Sequence, residues 1–569
     1  MSADPGNQFT GAEAFVRMLQ HHGVKHVFGL CGDTTLPLYD ALYRLDHGIA
    51  HVLTRDERSA AYMADGYARV SGRVGVCEGP SGGGATYLLP GLAEANESSI
   101  AVLGINSDIS VAARGRFALT ELDQAAMFRP VTKWNAMIDR AADIPETLRR
   151  AFREMTTGRP GAVHLGLPFD VQNGPVPAGD VHAEARFGAW PAERVTPDRS
   201  AIEAAASAMS AAKNPIIVCG GGVAIAGGQT ALLGLAVRLG CPVATSISGR
   251  GAIPDAHPLS LGVVGSNGGT AETREAVDAA DLVIFVGCRA GSVTTERWRH
   301  PDPTTARVIH IDVDERVFGA NYDPVAAVHG DAANALAAID GALMAAGFEV
   351  PERRLGIDAV AALKRRKFAA FDALAASSAA PILPERLVAA LQRALPADCV
   401  VVADPGTPCP YLSAYLRIDP ARQTVFSNRA HGALGYAMAA ATGAYFGRPD
   451  AKPIAVMGDG SFGFCCGELE TLVRLNVPVT MIVVSNAVYG WIKAGQKSGY
   501  EGRYYSVDFD RTDHARVAEA FGVKSWRVED PAELDRALAA AIAHDGPSLV
   551  DVICQPLQEA NAPVSEWVA

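Results

Sequence analysis

The sequence predicts an α/β chain of three doubly wound, mostly parallel sheets. Three observations carry that prediction. Short apolar runs rich in β-branched residues alternate with helical segments, the pattern of strand–helix–strand units. Several runs end in glycine-bearing turns, at Gly32-Asp33, at Gly220-Gly221-Gly222 and at Gly458-Asp459-Gly460. The 569 residues allow about three or four domains, and two stretches read as linkers: 168–198, with several prolines and no clear period, and 351–384, partly helical.

The domains follow in order. In the first, residues 1–180, Thr10 and Glu13 fit a capping box that opens a helix reaching about His22. Residues 27–30, 75–77 and 101–105 read as strands, and 161–168 closes the region. The central domain, 195–350, has strands at 216–219, 242–245, 282–286 and 307–313. Its glycine cluster is a weak nucleotide signal. Asp312, which ends a strand, lies about ninety positions beyond it, whereas the dinucleotide-binding offset is about twenty. A plain structural turn explains the cluster at least as well. The third domain, 375–555, has strands at 399 onward, 454–457 and 479–484, with a helix over 468–475. Three sheets of similar size suggest an old duplication. The tail, 556–569, is polar and is expected to fold back as a lid.

Composition narrows the function. Apolar residues make up 49% and charged residues 20%, as in globular cytoplasmic enzymes. A net charge of −12 argues against nucleic acid and anionic membranes as partners. The ten cysteines lack paired ligand spacings and read as reduced, buried thiols of a cytoplasmic protein. No signal peptide is expected, and no apolar run reaches the roughly 18 residues of a membrane span.

The chemistry concentrates at 456–461, Val-Met-Gly-Asp-Gly-Ser, with Asn486 downstream. Adjacent parallel strands would bring Asp459 and Asn486 to the same carboxyl edge, where ligands bind. One carboxylate, one amide oxygen and a backbone carbonyl suit Mg²⁺, which takes its remaining oxygens from phosphates and water. Glycines let backbone N–H groups approach those phosphates.

This stretch resembles the thiamine diphosphate signature, and a second motif in the first domain agrees with it: Thr54-Arg55-Asp56-Glu57 followed by Ala60-Ala61-Tyr62-Met63-Ala64-Asp65-Gly66-Tyr67-Ala68-Arg69. The likeness to acetohydroxyacid synthases and 2-oxoacid decarboxylases extends over 27–42, 79–96, 132–134, 158–170 and 432–443. The resemblance implies pyrimidine-binding, central and diphosphate-binding domains. It implies a metal site of Asp459, Asn486 and the Val488 carbonyl, with Gly458, Gly460, Ser461, Gly406 and Thr407 around the diphosphate. Here Ser485 stands where the family often has a first Asn. Glu57 would hydrogen-bond the aminopyrimidine, whose imino group then takes the C2 proton, a transfer helped by proximity. Leu434 would support the bent cofactor and the Gly432 carbonyl would accept from its amino group. Because the family shares each site between two chains, a homodimer at least, and a homotetramer by extension, is implied.

The reaction is read from finer phrasing. Residues 28–33, 78–84 and 490–496 look most like 2-hydroxyacyl-CoA lyases, which split a 2-hydroxyacyl-CoA, such as 2-hydroxyisobutyryl-CoA, into a ketone or aldehyde and formyl-CoA. ADP in the central domain, near Gly220 and Asp312, is implied with it. Tyr489, Lys493 and Gln496 are the candidate groups near the reacting carbon, with Asn106 and His431 behind them. Lys493 stands where that branch would place a carboxylate, and a charged ammonium accepts no proton, so a poor lyase improved by Lys493→Glu is expected. The alternative is an acetolactate synthase-like carboligase or 2-oxoacid decarboxylase, although Leu119-Thr120-Glu121 replaces the Phe-Gln-Glu of the synthases. A remote alternative is a serine hydrolase, since Gly79-Pro80-Ser81-Gly82-Gly83 matches G-x-S-x-G after a strand.

Overall fold

The computed structural model describes residues 8–567. The chain forms two compact units. The first comprises the residues up to Glu193 with Ala430–Ala451 and Cys465–Val477. Its six-stranded sheet runs, across space, Ala50–Leu53, His26–Gly29, Gly75–Gly79, Val102–Asp108, Val163–Pro168, Trp134–Met137. All pairings are parallel. The inner strands are buried on both faces, which explains apolar runs without alternation. The chain order reverses between His26–Gly29 and Gly75–Gly79, so a ligand crevice belongs at the carboxyl ends of those two strands.

Helix Gly11–His21 starts as its sequence requires. The Thr10 hydroxyl accepts from Glu13 N (3.2 Å) and the Glu13 carboxylate accepts from Thr10 N (2.9 Å). Helix Glu57–Ser71 is buried on nearly every side, with helix Tyr436–Gly447 packed on it. Only glycine fits the contact: a Cβ on Gly66 would lie 2.1 Å from Ala440 O, and one on Gly443 1.9 Å from Met63 O. The expected linker after 168 is ordered on this unit. Pro175–Pro177 pairs antiparallel with Gln8–Thr10, and the Trp190 indole donates to Arg73 O (3.0 Å).

The second unit holds Arg194–Arg429, Lys452–Phe464 and the chain from Pro478 onward. Its central sheet runs Ser260–Val263, Val243–Thr245, Pro215–Cys219, Leu282–Val286, Val308–Asp312, Pro324–His329, a dinucleotide-fold order. The glycine cluster after Cys219 has a packing reason, since a Cβ on Gly220 would meet Gly287 O at 2.0 Å and one on Gly222 would meet Gly287 Cα at 2.7 Å. The second linker carries helix Ile357–Ala375.

The C-terminal sheet runs Gln423–Ser427, Cys399–Ala403, Lys452–Gly458, Thr480–Ser485, Ser548–Ile553, Lys524–Val528. This repeats the strand order of the first unit's sheet, so two of the three sheets share one winding. The 458–460 stretch is a direct strand-to-helix junction rather than a free turn, because helix Asp459–Cys465 follows at once. The next helix begins at Leu469. The tail forms a strap: Lys497 Nζ donates to Gln558 O (2.6 Å), Trp567 packs on Trp491 (5.1 Å between ring centroids), and Gly268 N donates to Pro563 O (2.8 Å). Among the described residues no helix is long and apolar enough to cross a membrane.

Candidate active site

The edge of the C-terminal sheet is organised by Asp459. Strands Lys452–Gly458 and Thr480–Ser485 are direct parallel neighbours, so the residues after each emerge together. One Asp459 oxygen accepts from Asn486 N (2.7 Å) and Ala487 N (2.6 Å), the other from Gly460 N (2.8 Å). Burial pushes this carboxyl up, and those three N–H groups oppose the rise. The clamp holds Ala487 in the left-handed region (φ 58°), a strained conformation for a residue with a side chain. Asn486 and Val488 are thereby fixed beside the carboxylate. Val488 O accepts from Gly490 N (2.8 Å) and keeps a second lone pair. No cluster of three His, Cys, Asp or Glu able to hold a metal exists among the described residues. The hard-oxygen set of Asp459, Asn486 and Val488 fits Mg²⁺ completed by phosphate oxygens.

Neighbouring residues shape the same edge. Gly460 lies under the Tyr489 ring, where a Cβ would come within 2.7 Å of Cε1. Ser461 and Thr407 are buried, and Gly406 has φ 95°. The Thr407 hydroxyl would lie 3.4 Å from a Cβ on Gly490, so the 406–407 loop and the start of helix Gly490–Gly499 meet here.

In the first unit, Asp56 caps helix Glu57–Ser71 by accepting from Arg58 N (2.7 Å). Glu57 is the first helical residue and is only 6% exposed. It packs beside the glycine loop: a Cβ on Gly84 would lie 3.0 Å from Glu57 Oε1, and one on Gly79 3.1 Å from Glu57 Cγ. Burial raises its pKa, and the Asp56 and Glu78 carboxylates raise it further against its own backbone N–H. Asn106 Nδ2 donates to Gly79 O (3.2 Å), tying the loop to the next strand.

The loop bearing Gly432 and Leu434 is held by Glu94, fully buried, which accepts from His431 N (2.7 Å) and from Ser98 Oγ (2.6 Å). The His431 ring itself is on an exposed residue. Gly432 takes φ 74°, which suits glycine.

The remaining candidates have other partners. Lys493 Nζ donates to Asp508 (2.6 Å) and lies 4.8 Å from the Tyr504 ring centre. Gln496 spends both ends of its amide on the Tyr505 backbone, at 3.1 Å each. Tyr489 covers Gly460 and packs on Phe509. Ser81 bonds the hydroxyls of Thr120 (2.7 Å) and Thr34 (3.1 Å). Neither is a base, and among the described residues no histidine is paired with Ser81 as a hydrolase triad would require.

Sequence reasoning passed over four buried carboxylates. In the first unit, Glu78 and Glu468 lie in or beside the crevice, and Glu94 lies near the far end of the helix that starts there, against Arg69 and the 430–432 loop. In the second, Ser485 Oγ donates to Asp551 and accepts from His514 Nδ1 (3.0 Å), directly before Asn486. A signal existed for Glu78 and Asp551, since each is a charge inside an otherwise apolar strand run.

Comparison with known proteins decides the family. Three descriptions match in order: thiamine pyrophosphate enzyme N-terminal TPP binding domain over 9–127, central domain over 202–339, and C-terminal TPP binding domain over 404–552. A probable acetolactate synthase large subunit of Methanocaldococcus jannaschii is 35% identical over 558 residues, covering 96% of this chain and 92% of the relative. The chain belongs to the thiamine pyrophosphate enzyme family. A probable 2-ketoarginine decarboxylase of Pseudomonas aeruginosa is 33% identical over 552 residues (96% and 94% covered). The acetolactate synthase isozyme 3 large subunit of Escherichia coli K12 is 32% identical over 544 residues (94% and 92%).

These relatives overturn the 2-hydroxyacyl-CoA lyase expectation, because full-length similarity runs to acetolactate synthases and a 2-oxoacid decarboxylase. Short phrases such as 78–84 had carried the lyase reading, and they describe a loop rather than a substrate. The expected ADP and the Lys493→Glu gain lose their basis with it. This thiamine pyrophosphate enzyme has the three-domain architecture that the strand pattern predicted.

Proposed function

We propose that the protein decarboxylates a 2-oxo acid and joins the remaining acyl fragment, which keeps the electron pair of the broken C–C bond, to a second carbonyl compound, as in formation of acetolactate and CO₂ from two pyruvates. The observation that carries this is the similarity over more than nine-tenths of the chain to acetolactate synthase large subunits. When bound, thiamine diphosphate supplies the carbon nucleophile and electron sink that such chemistry needs. Asp459, Asn486 and the Val488 carbonyl would hold Mg²⁺, with Gly406, Thr407, Gly460 and Ser461 beside the diphosphate. Glu57 would hold its proton against a ring nitrogen of the cofactor. A homodimer that shares each site between chains belongs to this reading.

A second reading, decarboxylation with release of an aldehyde, is favoured by one feature. Thr120, where synthases carry Gln, is turned into the left-handed region (φ 67°) with its hydroxyl on Ser81. The test is incubation with pyruvate, Mg²⁺ and thiamine diphosphate, with CO₂, acetolactate and acetaldehyde measured together. Acetolactate supports the first reading and acetaldehyde alone the second. Absence of CO₂ from pyruvate and from a panel of longer 2-oxo acids, 2-ketoarginine included, overturns both.

A further inference from the structure

An exposed loop holds one shape only where its backbone is tied to something that stays ordered. The 430–435 loop carries Gly432 and Leu434. Ala430 and His431 are exposed, and the next three residues are half-buried. Three successive backbone N–H groups of this loop converge on Glu94, a fully buried residue of helix Gly83–Glu97. Glu94 Oε2 accepts from His431 N (2.7 Å) and Gly432 N (3.4 Å), and Oε1 accepts from Ala430 N (3.5 Å). Consecutive N–H groups turned inward make a nest for an acceptor. The Ser98 hydroxyl (2.6 Å) and Arg69 Nη2 (3.5 Å) also reach Oε1.

The far end of the loop is tied to the same guanidinium. Arg69 Nε donates to Asp65 Oδ2 (2.7 Å), and that oxygen also accepts from the Tyr436 hydroxyl. Tyr436 opens helix Tyr436–Gly447 and directly follows the loop. Asp65 and Arg69 sit one turn apart on helix Glu57–Ser71. One arginine therefore spans the two carboxyls that grip the loop at its start and at its end. Between the grips the chain bends through left-handed Gly432 (φ 74°) and Gly435 (φ 84°). Charged groups are costly to bury unless their geometry repays it. What this set adds to the packing of the helices is the hold on the loop.

We propose that Glu94, with Arg69 and Asp65 behind it, is a positioning residue that holds the 430–435 loop where the Gly432 carbonyl and Leu434 meet the aminopyrimidine half of the cofactor. This rests on the reading of those two residues as cofactor contacts.

The experiment makes three measurements on the full chain. They are hydrogen exchange of the 430–432 amides without cofactor, thiamine diphosphate affinity with Mg²⁺ by calorimetry, and affinity for inorganic diphosphate with Mg²⁺, which would need only the Asp459 edge. Glu94→Gln keeps the size of the side chain but puts an amide NH₂ where one acceptor stood. The loop amides should exchange about tenfold faster or more. Thiamine diphosphate should bind about 10- to 100-fold more weakly, with inorganic diphosphate within about threefold of the parent. A merely structural role would weaken both ligands alike. Glu94→Asp keeps both acceptors on a shorter arm and should recover part of the affinity. Ser98→Ala, which deletes one donor to Glu94, should move the same readouts by a smaller step. It carries the test if Glu94→Gln gives no cooperative unfolding transition. Unchanged loop exchange, unchanged thiamine diphosphate affinity, or equal loss of both ligands overturns the proposal while leaving the site reading intact. No saturable uptake of thiamine diphosphate by the parent overturns both.

Discussion

The sheet of the first unit and the C-terminal sheet of the second have one strand order, and both place candidate site carboxylates near the same reversal of that order. What differs is the supply of donors. At the end of the third strand in sequence, the C-terminal sheet places Asp459 under three backbone N–H groups. The first unit's sheet has Glu78 there, served by Tyr39 and His51. The crossover helix between second and third strands starts, in the first unit, at Glu57, whose carboxyl meets only its own N–H. Winding decides where a ligand meets the chain. Burial pushes both Asp459 and Glu57 up, and they differ in what opposes the rise: three N–H groups at Asp459, one at Glu57.

Two substitutions would break that contrast if it were false. Asp459→Ala should release the 486–488 turn, abolish saturable cofactor uptake and cut activity by at least about a thousandfold, read by fluorescence titration and product assay. Glu57→Gln should leave uptake nearly intact while turnover falls by about 10²–10⁴. Equal loss of uptake in both would show that the two carboxyls do the same work. Smaller in effect, Ser485→Ala removes the hydroxyl that joins His514 to Asp551 just before Asn486. Mg²⁺ affinity in the presence of cofactor should fall about 10- to 100-fold, the usual reach of groups behind a metal ligand. The limiting turnover at saturating Mg²⁺ should hold.

The sequence made the sheets legible because buried parallel strands carry unbroken apolar runs, as in 282–286, where the expected and observed strands coincide. The capping box at Thr10 was legible for the same local reason. Asp459 and Asn486 were legible because a strand end next to a strand end needs only the order of the chain. Partners from distant strands were not. Glu94 grips His431 N across 337 positions, and Glu468 grips Arg55 N across 413. Nothing local marks either residue. The partner of Lys493 was equally out of reach, since Asp508 lies fifteen positions on in a loop without period. The lyase reading failed for a related reason: substrate choice depends on a few loop side chains, while the glycine loop that suggested it packs beside Glu57.

Glu468 offers the finest test of whether donor count or burial prevails. It accepts one backbone N–H, from Arg55 (2.8 Å), and the Thr471 hydroxyl (2.8 Å), thereby holding the loop that leads into Glu57. Asp459 has three N–H groups. With a single N–H against near-complete burial, desolvation prevails for Glu468 and its pKa is raised to about 7, with the Thr471, Arg55 and Ser59 bonds opposing. The folded state therefore holds a proton that the unfolded chain has released, over the window from its ordinary value of 4.5 to about 7. Stability must fall as pH rises through that window and level off above it. Glu468→Gln cannot ionise, so its stability should lose that slope. Relative to the parent, the variant should gain on the order of 2 kcal/mol between mildly acidic and mildly alkaline pH, read from denaturant midpoints at each pH. A parent slope equal to the variant's would mean that one N–H and two hydroxyls suffice to keep this carboxylate charged, and that burial does not prevail over so few donors.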